Sequence, residues 1–113
     1  MVQLIKGNNK YKEEFIMTFN ISVKQKLGAA PGQESELMPC TNISPDGSFE
    51  AQGLGFAKTQ GNAFVRSWAE GKGLKIRSQK EWVRNAKTKN FEKTIMVQNG
   101  ASPETYIFVL TQE

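Results

Sequence analysis

The stretch EAQGLGFAKTQGNAFVRSWAEGKG, residues 50–73, decides how the whole chain is interpreted. Two runs of aromatic and aliphatic residues flank Gln60-Gly61, and glycine accepts the positive φ that a tight hairpin turn requires. We therefore predict a β-hairpin here, in which residues that pair across the strands share a face. One face is aliphatic apart from Phe56, and the other face is aromatic and basic. The aromatic-basic face consists of Phe64, Arg66 and Trp68.

This aromatic-basic face has two interpretations. If Phe64 and Trp68 face solvent, they form a stacking platform for the bases of single-stranded nucleic acid, with Arg66 between them for phosphate. If they face inward, they are core residues, and the glycines opposite them allow the sheet to curve. Aromatic residues in strands are usually buried, but the sequence alone leaves both interpretations open.

The N-terminal half predicts a long strand, a short partner strand and a loop. Residues 15–23 alternate between apolar and other side chains, which is typical of a strand with one buried face. The segment VQLI at residues 2–5 precedes this strand across GNNK at residues 7–10, so we expect a small N-terminal hairpin. Residues 28–47 contain Pro and Gly without sustained periodicity, which predicts a long loop.

The C-terminal half predicts one helix and two strands. Ser78 and Glu81 fit the capping-box pattern Ser-x-x-Glu, and a narrow apolar stripe follows them. We therefore predict a helix at about 79–90. Residues 93–98 and 105–112 are rich in apolar and β-branched residues and flank an Asn-Gly turn, which predicts a pair of strands.

These elements follow the order β-β-β-α-β-β, with a short additional strand at the N-terminus. In that order, and in its long first strand, the chain resembles OB-fold proteins, in which a helix plugs one end of a five-stranded barrel. The resemblance implies a β-rich α+β fold with a five-stranded, antiparallel, OB-like barrel. A β-rich α+β fold of another topology fits the same pattern. The length is that of one domain, residues 1–113.

Cysteine and histidine usage restricts the chemistry. The chain has one cysteine, Cys40, and no histidine, so it has neither an intrachain disulfide nor the usual ligands of a zinc site. Nucleophile activation by His and a His general base are both excluded. The acidic residues show no spacing typical of an acid–base pair or a metal cage. We therefore expect a non-enzymatic protein without metal or cofactor, in which Cys40 is a small buried hydrophobe or an incidental loop residue.

Basic residues are concentrated in the middle of the chain. Residues 58–93 contain ten Lys or Arg and three Glu, a surplus of seven positive charges in a chain whose net charge is +4. Such concentration is typical of a protein with a polyanionic partner, although a solvated Lys-rich face that aids solubility also fits. The candidate nucleic-acid-binding residues combine cations from this segment with the two rings: Lys58, Phe64, Arg66, Trp68, Lys72, Lys75, Arg77, Lys80, Arg84 and Lys87.

These patterns predict a small protein that binds single-stranded DNA or RNA with little sequence specificity, with the loop 28–47 closing over the strand. The alternative is a protein-interaction or assembly module, either a viral or phage protein or the subunit of a homo-oligomer, that uses the exposed apolar hairpin face. The first residues lack the apolar region of a signal peptide, and no apolar run is long enough to span a bilayer. We therefore expect a cytoplasmic protein, in a host cell if it is viral.

Overall fold

The computed structural model of the protein describes residues 2–6, 13–30 and 32–113. Over these residues the chain forms an antiparallel sheet of eight strands and one α-helix, which confirms the predicted β-rich α+β class. The strands are, in chain order, β1 (Val2–Lys6), β2 (Glu13–Lys26), β3 (Met38–Pro39), β4 (Ser48–Ala51), β5 (Lys75–Gln79), β6 (Val83–Arg84), β7 (Phe91–Asn99) and β8 (Ser102–Gln112). The helix is α1 (Leu54–Gly71).

The sheet is open rather than closed into a barrel. At its centre, β2 pairs with β3 and β4 along one edge and with β8 along the other. β8 pairs in turn with β7, and the outer edge of β7 carries β5 and β6. The described strands at the two sides of the sheet do not pair with each other, so the predicted OB-like barrel is not formed. The helix α1 connects β4 at one side with β5 at the other, and these outer strands therefore lie a full sheet width apart.

Residues 54–71 form α1 and not the predicted hairpin. Small and apolar residues recur along this stretch at helical spacing, and they form its buried face: Ala57, Gly61, Val65, Trp68 and Ala69. Gln60-Gly61, interpreted from the sequence as a turn, lies in the middle of the helix. A period of 3.6 residues thus describes this stretch better than a period of two, because only the helix places all five residues against the sheet.

The glycine after α1 ends the helix. The Leu74 N–H donates to the Ala69 carbonyl oxygen (2.9 Å), and the Gly73 N–H donates to the Glu70 carbonyl oxygen (3.0 Å). Gly73 has a φ of 68°, in the left-handed region where glycine carries no steric cost. This combination of two bonds around a left-handed glycine is a common helix ending.

The helix predicted at 79–90 is wrong. Part of that range belongs to β5 and β6, and residues 85–90 form the loop that leads into β7. The Asn85 N–H donates to the Asn90 carbonyl oxygen (2.7 Å), while the Asn85 side chain accepts hydrogen bonds from the backbone N–H groups of Lys87 and Thr88. Asn and Thr favour such loops over helices, and the open edge of β7 supplies the segment with backbone partners.

The hydrophobic core lies between α1 and one face of the sheet. Its sheet side is formed by buried residues of β2, β7 and β8: Phe19, Ile21, Val23, Ile95, Val97, Phe108 and Leu110. Trp82, between β5 and β6, reaches this core, and its Nε1–H donates to the Asn62 side-chain oxygen on α1 (2.9 Å). The helix is thus held by the sheet and also by Trp82.

The segment predicted as a long loop, residues 28–47, contains the two-residue strand β3 and lies against β2. The Ser35 N–H donates to the Gln25 carbonyl oxygen (2.9 Å), and the Cys40 N–H donates to the Ile21 carbonyl oxygen (3.0 Å). At the N-terminus β1 pairs with the first part of β2, as predicted. The turn predicted at residues 7–10 lies outside the described residues.

Candidate nucleic-acid interface

The outer edge of the sheet carries a row of cations, which we call the basic edge. It consists of Lys75, Arg77, Lys80, Arg84 and Lys87, all of them exposed. Lys75 pairs with Gln98 and Arg84 pairs with Phe91, so the positions from Lys75 to Arg84 follow β7 over eight residues. Because Gln98 and Phe91 are seven positions apart on one strand, Lys75 and Arg84 lie on opposite faces at this edge, and Lys87 lies in the loop after β6. At the usual rise per residue of a strand, the row is roughly 23 Å long.

Two further cations, on α1, lie beside the basic edge. The Lys58 ammonium is 4.1 Å from the ring centre of Phe91, the residue that pairs with Arg84. Arg66 is close enough to Lys93 to affect its ionisation, and the Lys93 ammonium donates to the Lys80 carbonyl oxygen (2.8 Å). The pKa of Lys93 is lowered, first by burial and then by Arg66, while Glu81 opposes the shift.

Carboxylates do not neutralise the basic edge by direct contact. In residues 16–30 and 32–113 the ion pair within 4.0 Å is Lys24–Glu34 (2.9 Å), which lies elsewhere on the sheet. Glu81 directly follows Lys80 and is exposed, but it forms no ion pair within 4.0 Å among the described residues. Glu92 accepts a hydrogen bond from the Asn85 side chain. The positive charges of the basic edge are therefore available to an external anion.

The predicted stacking platform of Phe64 and Trp68 is not formed. Trp68 is buried, with its ring centre 4.8 Å from that of Tyr106 and 5.1 Å from that of Phe108. The Phe64 ring packs edge-on against Phe49 at 5.0 Å. Both rings turn inward because they lie on the sheet-facing side of a helix, so they do not offer faces for bases beside Arg66.

A groove at the C-terminal end of α1 is a feature that sequence reasoning missed, although two of its lining residues, Trp68 and Lys72, were among the predicted site residues. The groove has a volume of about 550 Å³ and lies between α1, β2, β8 and the loop that contains β3. Its lining includes Lys24, Met38, Trp68, Lys72 and Tyr106. These residues are far apart in the sequence, and only the strand register brings them together, so no local pattern could have revealed the groove.

Hydrogen bonds fix the loop side of the groove to the helix. The Asn42 side-chain amide donates to the Phe64 carbonyl oxygen (3.0 Å) and to the Ser67 hydroxyl (2.8 Å). On the sheet side, the Tyr106 hydroxyl donates to a Glu104 carboxylate oxygen (3.1 Å). Burial, followed by this bond to Glu104, raises the pKa of Tyr106, so the phenol stays neutral at physiological pH.

Neither a cluster of metal-ligating side chains nor a membrane-spanning helix is found in the described part of the chain. No group of three or more His, Cys, Asp or Glu residues is placed there to hold a metal ion. The helix α1 lacks the apolar content needed to cross a bilayer, and the described residues contain no other candidate helix.

Comparison with known proteins supplies no relative from which a function could be transferred. No protein-family model, curated protein or solved structure matches the chain. The fold and the site together define a small α+β protein with one basic sheet edge and one aromatic groove. Its function is therefore argued from these two features.

Proposed function

We propose that the protein binds single-stranded nucleic acid through the basic edge, without catalysis. The observation that carries this proposal is the row of five exposed cations with no carboxylate within ion-pair distance in the described residues. Cations that replace the counterions of a phosphate backbone release those ions, and this release favours binding. Lys58 and Arg66 on α1 add positive charge beside the same edge.

The shape of the basic edge favours a chain of phosphates over a small anion. A single anion would need cations that converge on one point, whereas these cations follow β7 over roughly 23 Å. Phosphate contacts position a strand without distinguishing its bases, so we expect little sequence specificity. An OB-like barrel is not required for this function, because the cations belong to one open sheet edge.

The alternative of an assembly module loses the feature on which it depended. It required an exposed apolar hairpin face, and the helix instead buries Val65, Trp68 and Ala69. Among the large apolar side chains that remain exposed, Leu37 and Met38 are adjacent, Val83 and Met96 lie on the paired strands β6 and β7, and Leu27 and Phe56 lie elsewhere. We favour nucleic acid as the partner because the cations of the basic edge are exposed and have no carboxylate within ion-pair distance in the described residues.

Charge reversal at the bulge of β5 tests the proposal. Arg77 lies where the β5–β7 register shifts, and its side chain is exposed, so Arg77→Glu leaves the core intact. Binding of a fluorescein-labelled oligothymidylate of about 16 nucleotides is measured by anisotropy. We expect the wild-type affinity to fall steeply between about 50 mM and about 200 mM salt. Arg77→Glu should bind more weakly and reduce the salt slope by about 1.

Lys26→Glu is the matched control. It changes the net charge by the same amount at an exposed position on β2, away from the basic edge. Its affinity should stay close to that of the wild type. Wild-type binding that ignores salt would contradict the proposal, and so would an equal loss in both variants, because net charge alone would then explain the effect.

A further inference from the structure

The groove beside α1 combines a buried aromatic floor with exposed walls. Trp68 and Val23 are almost fully buried, and Tyr106 is half-buried with its ring against Trp68. The walls are exposed, with Met38 on the loop side and Gly71 on the helix side. A volume of about 550 Å³ falls within the usual range for sites that bind small organic groups. The groove is thus suited to a flat, apolar ring of moderate size.

The rim of the groove offers polar groups that no intramolecular bond uses. Both amide hydrogens of Asn42 donate within the protein, to Phe64 and Ser67, which leaves its carbonyl oxygen as a free acceptor in the described structure. The Thr41 hydroxyl also has no hydrogen-bond partner among the described residues and lines the groove. A ring with donors and acceptors on its edge, as every nucleobase has, could pair with these groups.

The charge of the groove is positive. Its lining contains Lys24 and Lys72 and no acidic residue. Lys24 pairs with Glu34 at 2.9 Å, but Lys72 has no carboxylate partner in the described residues. The Lys72 ammonium instead lies 5.4 Å from the ring centre of Trp68, directly beside the aromatic floor. An occupant that joins a flat ring to an anionic group matches this arrangement.

The groove also lies close to the basic edge. Lys72 is three residues before Lys75, the first cation of that edge, so their Cα atoms are separated by at most about 11 Å. A strand whose phosphates follow the basic edge can therefore place one more nucleotide in the groove.

We propose that the groove binds one nucleotide of the bound strand, with its base against the half-buried Tyr106 ring and its phosphate toward Lys72. This inference rests on the proposed function of the basic edge. It assigns the stacking contribution to Tyr106 and the groove, in place of the platform that the sequence predicted at Phe64 and Trp68.

Filling the groove from the helix side tests this inference. A Cβ at Gly71 meets no heavy atom within 4 Å, and the φ of Gly71 is not positive, so Gly71→Leu places a side chain at the groove without backbone strain. Gly55→Leu is the matched control, because Gly55 is also a helical glycine with no atom within 4 Å but lies outside the groove. Lys72→Gln removes the cation and leaves the groove open.

We expect Gly71→Leu to weaken oligothymidylate binding by about 5- to 100-fold, the loss that accompanies one stacked base. Gly55→Leu should bind like the wild type, and Lys72→Gln should weaken binding and lower the salt slope by about 1. Thermal unfolding followed by circular dichroism shows that the variants are folded. Neither leucine substitution should lower the unfolding midpoint.

The outcomes separate this inference from the proposed function. If Arg77→Glu weakens binding while Gly71→Leu binds like the wild type, the groove does not hold a nucleotide and the function of the basic edge stands. If Gly71→Leu and Gly55→Leu weaken binding equally, the groove is again not the cause. If the wild-type protein does not bind the oligonucleotide at low salt, the proposed function fails and this inference fails with it.

Discussion

At the scale of single residues, Gly61 sets how closely the helix approaches Trp82 and the sheet. A Cβ at this position would lie 2.9 Å from Cζ2 of Trp82 and 3.3 Å from Cδ1 of Ile21. The Trp82 ring cannot move away easily, because it is rigid, buried and hydrogen-bonded to Asn62. The helix therefore needs glycine in its middle despite the poor helix propensity of that residue.

Gly61→Ala is expected to lower the free energy of unfolding by about 1–3 kcal/mol, the usual cost of overpacking a core. Gly55→Ala is the control, because an added methyl group there meets nothing within 4 Å. That control should instead raise the free energy of unfolding by up to about 1 kcal/mol, through the better helix propensity of alanine. Denaturant titration measures both values, and a stabilised Gly61→Ala variant would contradict the packing argument.

For single residues, the sequence was sufficient to predict the exposure of charged side chains but not that of aromatic ones. Seven of the eight predicted cations are exposed, because charged side chains remain at the surface in almost any fold. The sequence left two interpretations for Phe64 and Trp68, because whether an aromatic ring faces solvent or the core depends on whether a strand or a helix carries it. Their inward orientation could be decided only once residues 54–71 were known to be helical.

At the scale of elements, residues 50–73 show why a local pattern can mislead. The same residues fit a period of two around Gln60-Gly61 and a period of 3.6 from Ala57 to Ala69. The helix is stabilised by a face of β2, β7 and β8 that lies far away in the sequence. Tertiary packing of this kind overrides local turn chemistry. The Gly71-Lys72-Gly73 ending was a second local signal that favoured a helix, besides the 3.6-residue period.

One side chain of the loop that borders the groove, Asn42, hydrogen-bonds to α1. Asn42→Ala removes the bonds to Phe64 and Ser67, each of which contributes about 0.5–1.5 kcal/mol. We expect faster amide hydrogen exchange in residues 34–42 and little change in the core strands, since opening of the loop is local. Thr41→Val, whose hydroxyl bonds to no described residue, serves as the control. Equal acceleration in both variants would contradict the assigned role of Asn42.

At the scale of the whole molecule, the thiol of Cys40 reports on cooperative unfolding. Cys40 is buried in the core, and burial raises its pKa to about 12, although Lys72 opposes the shift. At pH 8 the native thiol is therefore far less ionised than a thiol with its ordinary pKa. The thiolate is the form that reacts with iodoacetamide.

We therefore expect iodoacetamide labelling of Cys40 at pH 8 to be slow in native buffer and to accelerate across the denaturant transition. Its midpoint should coincide with that of tryptophan fluorescence, because the thiol and Trp68 belong to one core. Fast labelling in native buffer, at the rate of the denatured protein, would contradict the burial of Cys40.

The β-rich α+β class was predictable from the sequence, but whether the sheet closes into a barrel was not. Alternation at residues 15–23 and the apolar strands near the C-terminus were sufficient to indicate a β-rich sheet, whereas the one helix was predicted at 79–90 and lies at Leu54–Gly71. Whether outer strands meet depends on backbone pairing between distant segments, which leaves no local pattern. Residues 75–79 and 83–84 form strands because the free edge of β7 offers their backbone groups partners. The capping-box pattern at Ser78 and Glu81 therefore does not begin a helix.

The basic edge has a further consequence for solubility. β5 is an outer strand with unpaired backbone groups, and such strands can pair with the same strand of another molecule and aggregate. Its register shift and its charges at Lys75 and Arg77 oppose that pairing, since like charges repel and a bulge interrupts the ladder. Neutral substitutions along β5 would remove this protection. We therefore expect the cations that we propose bind phosphate also to oppose edge-to-edge pairing of β5 when no strand is bound.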